Sequence, residues 1–132
     1  MYLTVIGGAM GTLSFGQFRI INEHIVEFIT DEGFDLDTSH AQECLAVYNQ
    51  QPSPIGVLVN RSNDYSSTFE FNQMVSSEPK IAAMAILVTS ERAAKIANIQ
   101  KMYFAFPFDV FSQREKAIEW LNQHIDNAKN KN

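Results

Sequence analysis

The side chains best suited to chemistry follow two apolar runs. Arg61, Asp64, Tyr65, Ser66 and Ser67 come after residues 55–59, Ile-Gly-Val-Leu-Val. Thr89, Ser90 and Arg92 come after residues 83–88, Ala-Met-Ala-Ile-Leu-Val. If the runs are neighbouring parallel strands, both groups open at one end of the sheet, where α/β sheets take ligands. Two arginines beside helix starts at Ser67 and Ser90 could then receive a phosphate or a partner's carboxylate. The plain structural reading is that both serines cap helices and that Arg61 and Asp64 form a surface pair. Phosphorylation is a related expectation. A phosphate on Ser66 or Ser67 at a helix start suits the dipole, and Arg61 could pair with it.

Other candidate groups have ordinary readings. Asp35, Asp37 and His40 make D-x-D-x-x-H, all metal-ligating types, but the glycine and terminal glutamate of a calcium loop are absent. Acidic residues before a helix suit its dipole, so no metal is expected. Cys44 falls on a core face, with His40 one turn earlier as its nearest base. A buried free thiol acts as a small hydrophobe. His24 and His124 have no evident partner, and Asp31, Glu32 and Asp64 have no context for general acid–base work. Glycines at 7, 8 and 11 follow a strand-like run, yet the G-x-G-x-x-G spacing is unmet. No cofactor is implied. Tyr103, Phe104, Phe106, Phe108 and Phe111 read as core, or more sharply as an apolar pocket or a homodimer face.

Composition narrows the classes. The chain has 132 residues, 45% of them hydrophobic, including 10 Phe, which suits one domain with a sizeable core. A net charge of −5 argues against nucleic acid and anionic lipid as general partners. No apolar run reaches the roughly 20 residues of a membrane span. One cysteine cannot form an internal disulfide, and no secretory leader is evident. A cytoplasmic protein is expected.

These residues must be positioned by alternating elements. Residues 13–21 and 25–29 read as a hairpin closed by Asn22, Glu23 and His24. A helix is expected over 39–50, with Ala41, Cys44, Leu45 and Tyr48 on one face and Ser39 with Gln42 as a capping box. The continuous apolar runs suit strands buried on both faces. A second helix, capped by Ser67 and Glu70, carries Phe71, Met74 and Val75 inward. A third runs from Ser90 to about Met102, with Ala93, Ile96, Ala97 and Met102 inward. A last strand lies within 104–111, and a closing helix is capped by Ser112 and Glu115. The order ββαβαβαβα predicts a mixed sheet with helices packed on it. Residues 1–11 read as an extra strand or mobile arm, and 127–132 as a fraying tail.

The order resembles the STAS domain of bacterial anti-sigma-factor antagonists, and more closely the SpoIIAA-like group of small bacterial proteins. The resemblance is carried by the loop Asn60-Arg61-Ser62-Asn63-Asp64-Tyr65-Ser66, the apolar strand 83–88, and Phe111 with Ala117, Trp120 and Leu121. It implies an α/β fold and a regulatory role in binding another protein. The antagonists' phosphorylatable serine lies in an Asp-Ser-x-Gly context. This chain has no such tetrapeptide, and residues 62–67 hold no glycine, so a sigma-factor switch does not carry over. A related arrangement in CRAL-TRIO domains keeps an apolar ligand as the runner-up. The expectation is a non-enzymatic module that binds a protein through residues 61–67 and 89–92. A filled core favours that reading. A cavity lined by Phe104, Phe106 and Phe108 favours a small apolar or phosphorylated ligand.

Overall fold

β-Branched and apolar residues build the centre of the sheet. In a computed structural model, which describes residues 10–131, the long strands are β2 (Gly16–Asn22), β3 (Ile25–Thr30), β5 (Ile55–Arg61) and β7 (Ile81–Val88). β1 (Met10–Leu13) and β8 (Phe108–Phe111) form the edges. The order is β1-β2-β3-β5-β7-β8. The first three are antiparallel neighbours, and β3, β5, β7 and β8 run parallel. The chain is therefore a mixed-sheet α/β protein, with β5 and β7 adjacent and parallel as the apolar runs predict. A separate two-stranded ladder pairs β4 (Asp35–Leu36) with β6 (Ser66–Ser67).

Alternation along the strands sorts side chains to two faces. Ile20, Val26, Val57, Met84 and Phe108 are register partners in turn and form a buried row across one face. On that face lie α1 (Thr38–Asn49), α2 (Phe69–Ser76) and α3 (Glu91–Gln100), with Cys44, Tyr48, Val75 and Ala97 in the same core. On the other face, Leu58, Ala83 and Ala85 meet Ala117, Leu121 and Ile125 of α4 (Arg114–Lys129). Small residues let α4 approach closely. A Cβ on Gly56 would lie 3.0 Å from Ile125 Cδ1 and 3.3 Å from Leu121.

The α4 face also buries a charge. Glu27 is fully covered, and its carboxylate accepts two hydrogen bonds from Arg114, at 2.5 and 2.9 Å, and one from Asn60 at 2.9 Å. Arg19, its register partner on β2, lies 3.8 Å away. Burial pushes this carboxyl up, but the bonds from Arg114 and Asn60 and the two arginine charges outweigh it. The net result is below the usual carboxylate range.

Several local expectations are corrected. The hairpin expected to begin at residue 13 is two hairpins, because Ser14 and Phe15 turn the chain between β1 and β2. Met10 and Gly11 lie in β1; the rest of the expected arm, residues 1–9, falls outside the described residues. α1 is capped by Asp37 with His40, not by Ser39 with Gln42. Ser39 instead donates its backbone N–H and its hydroxyl to Asp37. Thr68, not Ser67, caps α2, because Ser67 is held in β6. Gln113 precedes α4 without any side-chain cap bond, so Ser112 does not cap it. α3 gives way to a 3-10 turn at Lys101–Tyr103, which turns Met102 outward to 77% exposure. The last strand, Phe108–Phe111, lies within the expected range 104–111. α4 reaches Lys129, three residues into the tail expected to fray.

Candidate functional site

The loop after β5 is rigidly tied, not free. Gly33 N–H donates to Asp64 O at 2.7 Å, Ser66 N–H to Phe34 O at 2.9 Å, and Thr68 N–H to Leu36 O at 2.8 Å. Asn63 adds a side-chain bond to Thr30 O at 2.9 Å, and Asp64 N–H reaches Glu32 Oε1 at 3.2 Å. Residues 31–36 and 62–68 thus brace each other across the β4–β6 ladder.

This bracing folds Arg61 inward. Its side chain is not a surface partner of Asp64, as the sequence suggested. Arg61 is only 6% exposed, donates to Tyr65 O at 2.5 Å, and lays its guanidinium 4.2 Å from the Tyr65 ring centroid. Burial raises the Tyr65 phenol, against the opposing pull of the Arg61 charge. Asp64 pairs with Arg92 instead, at 3.5 Å between two well-exposed side chains, a contact worth little on its own. Ser66 Oγ donates to Asp35 Oδ1 at 2.8 Å. Ser67 Oγ donates to Asn72 Oδ1 at 3.0 Å and receives Gln100 Nε2 at 3.3 Å.

Six expected residues therefore share one open cleft of about 510 Å³: Arg61, Asp64, Tyr65, Ser66, Ser67 and Arg92. Thr89 and Ser90 do not join them. They line a separate depression with Ala94 and Ser112, and Ser90 caps α3 by accepting from Ala93 N–H at 3.1 Å. Sequence reasoning missed Glu32 and Gly33 at the rim, and Ile96 and Gln100 on α3. Ile96 and Gln100 stand four residues apart on the helix, a spacing that could have flagged them as one face.

Behind the cleft is a cavity of about 60 Å³ between the sheet and α1–α3. Phe104 and Phe108 line it, with rings stacked at 5.0 Å, alongside Phe28, Tyr48 and Met84. Phe106 does not; it faces another groove, beside Pro107 and His124. Arg61, Ser67, Tyr65 and Gln100 line both the cavity and the cleft, so they separate one from the other. Asn72, buried and unforeseen in the sequence, adds a polar group to the cavity wall.

The remaining candidates are dispersed. Asp35 is engaged by Ser66, Asp37 caps α1, and His40 Nδ1 accepts from Asp37 N–H at 3.0 Å. Cys44 is buried, and that burial, with Glu43 nearby, pushes its thiol up to about 12. His24 Nδ1 lies 2.7 Å from Pro54 O, and His124 packs against Trp120 at 4.4 Å. Among the described residues no helix is long and apolar enough to cross a membrane.

The topology is that of a SpoIIAA-like α/β fold. No family model matches the chain, and no curated protein matches it. Among solved structures it is similar to an uncharacterised protein of the DUF3478 family with a SpoIIAA-like fold from Shewanella loihica PV-4. The likeness has a TM-score of 0.55 at 14% identity and covers 92% of this chain and 98% of that one. At that identity the likeness speaks for the fold alone.

Proposed function

We propose that this is a non-enzymatic binding module of the cytoplasm that engages a protein through the surface beside the Arg61–Ser67 loop. The observation that carries this reading is an apolar cluster left in the open. Phe69 is 55% exposed, Ile99 63%, Met102 77% and Tyr103 42%. Phe69 and Tyr103 touch edge to face at 5.9 Å, and Met102 and Tyr103 lie on the 3-10 turn that directly follows Ile99 and Gln100 at the end of α3. Exposed aromatic and Met side chains grouped this way are the composition of an interface core. Gln100 links this cluster to the cleft. The non-enzymatic part of the reading rests on the one thiol–imidazole pair the sequence offered: Cys44 is buried with its thiol pushed up to about 12, and His40 Nδ1 accepts from Asp37 N–H.

The test is capture from native lysate with wild type and with a Phe69→Ser, Met102→Ser variant. Both positions are exposed, so the fold should persist. A partner bound by wild type and lost from the folded variant supports the reading; equal recovery overturns it. Light scattering on both proteins detects the homodimer form of the same idea.

The cavity favours a second reading, a small apolar ligand beside Phe104 and Phe108. Its volume is well under the roughly 150 Å³ that holds a benzene ring in an engineered protein cavity. A ligand would therefore place only a short tail there.

A further inference from the structure

Resting on that second reading, we infer that the cavity and Arg61 form one site for a short-chain monocarboxylate. The carboxylate would sit on the guanidinium, and the tail would enter between Phe28, Tyr48, Phe104 and Phe108. The first observation is a charge without a counter-charge. Arg61 is 94% covered, since 6% of it is exposed, and no carboxylate of the described residues lies within 4.0 Å of it. The other three arginines all face one: Arg19 and Arg114 face Glu27, and Arg92 faces Asp64. Arginine cannot shed its proton to escape burial. The guanidinium donates to one carbonyl and lies over one ring face, and its remaining donors reach the cleft with no anion opposite them.

The second observation is position. Arg61 lines both the open cleft and the apolar cavity. A ligand with its head on the guanidinium in the cleft would bury its tail behind, once the Ser67–Gln100 contact that divides the two spaces parts to admit it. The third is the form of the head. The planar fork of arginine matches a carboxylate with two parallel bonds. In the cleft Asp64 and Arg92 offset each other and Glu32 remains, so a second negative charge on the head would meet like charge there. That selects a monoanion over a phosphate dianion. The fourth is size. A cavity of about 60 Å³ admits a tail of roughly two to four carbons and rejects a long acyl chain.

The experiment is a titration of the isotopically labelled full chain at pH 7 with butyrate, 1-butanol, octanoate and inorganic phosphate, followed by NMR. Butyrate should bind with a dissociation constant on the order of 1 mM, and shift Arg61, Tyr65, Phe104 and Phe108 together. Butanol, octanoate and phosphate should each bind at least tenfold more weakly. Equal binding of butyrate and butanol would overturn the role of Arg61 while leaving an apolar cavity ligand standing. Phosphate binding as tightly as butyrate would overturn the choice of head group. Octanoate binding as tightly would overturn the size limit. Failure of every probe would sink both this inference and the ligand reading. An Arg61→Lys variant, which keeps the charge but loses the fork, should weaken butyrate several-fold and leave butanol unchanged. The comparison of probes on the wild-type chain decides the matter even if that variant does not fold.

Discussion

The buried ion pair on the α4 face should respond asymmetrically to loss of its two members. Glu27 has 1% of its side chain exposed, whereas Arg114 has 34%. Replacing Arg114 by Met leaves the carboxylate buried, with only Asn60 bonded to it and Arg19 at 3.8 Å. Breaking a buried pair in this way costs about 3–5 kcal/mol. The Arg19 charge offsets part of that, so about 2–4 kcal/mol is expected. Replacing Glu27 by Gln leaves an arginine that already reaches water, and loss of its charge-assisted bonds should cost about 1–2 kcal/mol. Against a total stability of roughly 5–15 kcal/mol the difference is measurable. At about 4 °C per kcal/mol, Arg114→Met should lower Tm by about 8–16 °C.

The pH dependence gives a second handle on the same pair. The folded Glu27 carboxyl ionises below its ordinary value of 4.5. Its stabilisation is therefore complete above the unfolded carboxylate range and is lost as pH falls through the folded value. In Arg114→Met, burial is opposed less, and the folded carboxyl moves up. The variant's carboxyl takes up its proton at a higher pH than the wild type's, so the deficit should shrink as pH falls from 7 to 4. Urea unfolding read by Trp120, the only tryptophan and a reporter on α4, measures both effects. A deficit constant across that range, or a Glu27→Gln cost equal to that of Arg114→Met, would refute the assignment of Glu27 as the buried, dependent partner.

Two further expectations follow from packing. Gly56→Ala places a methyl 3.0 Å from Ile125 Cδ1 and 3.3 Å from Leu121, so these α4 side chains must give by a few tenths of an ångström, at a cost of about 1–3 kcal/mol. An unchanged urea midpoint would show that the helix yields freely. Cys44, with its thiol raised to about 12 by burial, should resist a disulfide reagent at pH 7.4 and react promptly in urea. Rapid reaction of the folded chain would mean the α1 core opens far more often than its packing implies.

The parts of this fold that were legible in the sequence are those written in continuous residues. Residues 55–59 and 83–88 are apolar without interruption, which only strands covered on both faces need, and they are the paired parallel strands β5 and β7. The helix faces of Cys44 with Tyr48, and of Ala117 with Leu121, follow from a period near 3.6. The misread caps share one cause. Asp37, Thr38 and Ser39, like Ser66, Ser67 and Thr68, offer several capping side chains in a row, and local chemistry does not choose among them. The β4–β6 ladder chooses. It holds Ser67 in extended backbone and moves the cap to Thr68. Two-residue strands have no periodicity to read. At α4 no cap forms. Arg114, at the start of the helix, is tied to Glu27, 87 residues earlier. Glu27 itself stands among apolar residues of β3 as if it faced water. Only the docking of α4 makes it buried.

The same remoteness hid the nature of the candidate site. Arg61 beside Asp64 reads as a surface pair until Gly33, Phe34 and Leu36 pin the loop and turn the guanidinium inward. The two faces of the sheet then treat a buried charge differently. On the α4 face, Ala83, Ala85 and Gly56 let the helix come close, and Glu27 is met by Arg114, Asn60 and Arg19. On the α1–α3 face, Phe28, Phe104 and Phe108 line a cavity of about 60 Å³, and Arg61 has no carboxylate opposite it. A chain that supplies Glu27 with two arginines and an amide has the means to satisfy a buried charge. The void and the unmatched charge share the side chain of Arg61, and that coincidence is what the proposed carboxylate site rests on.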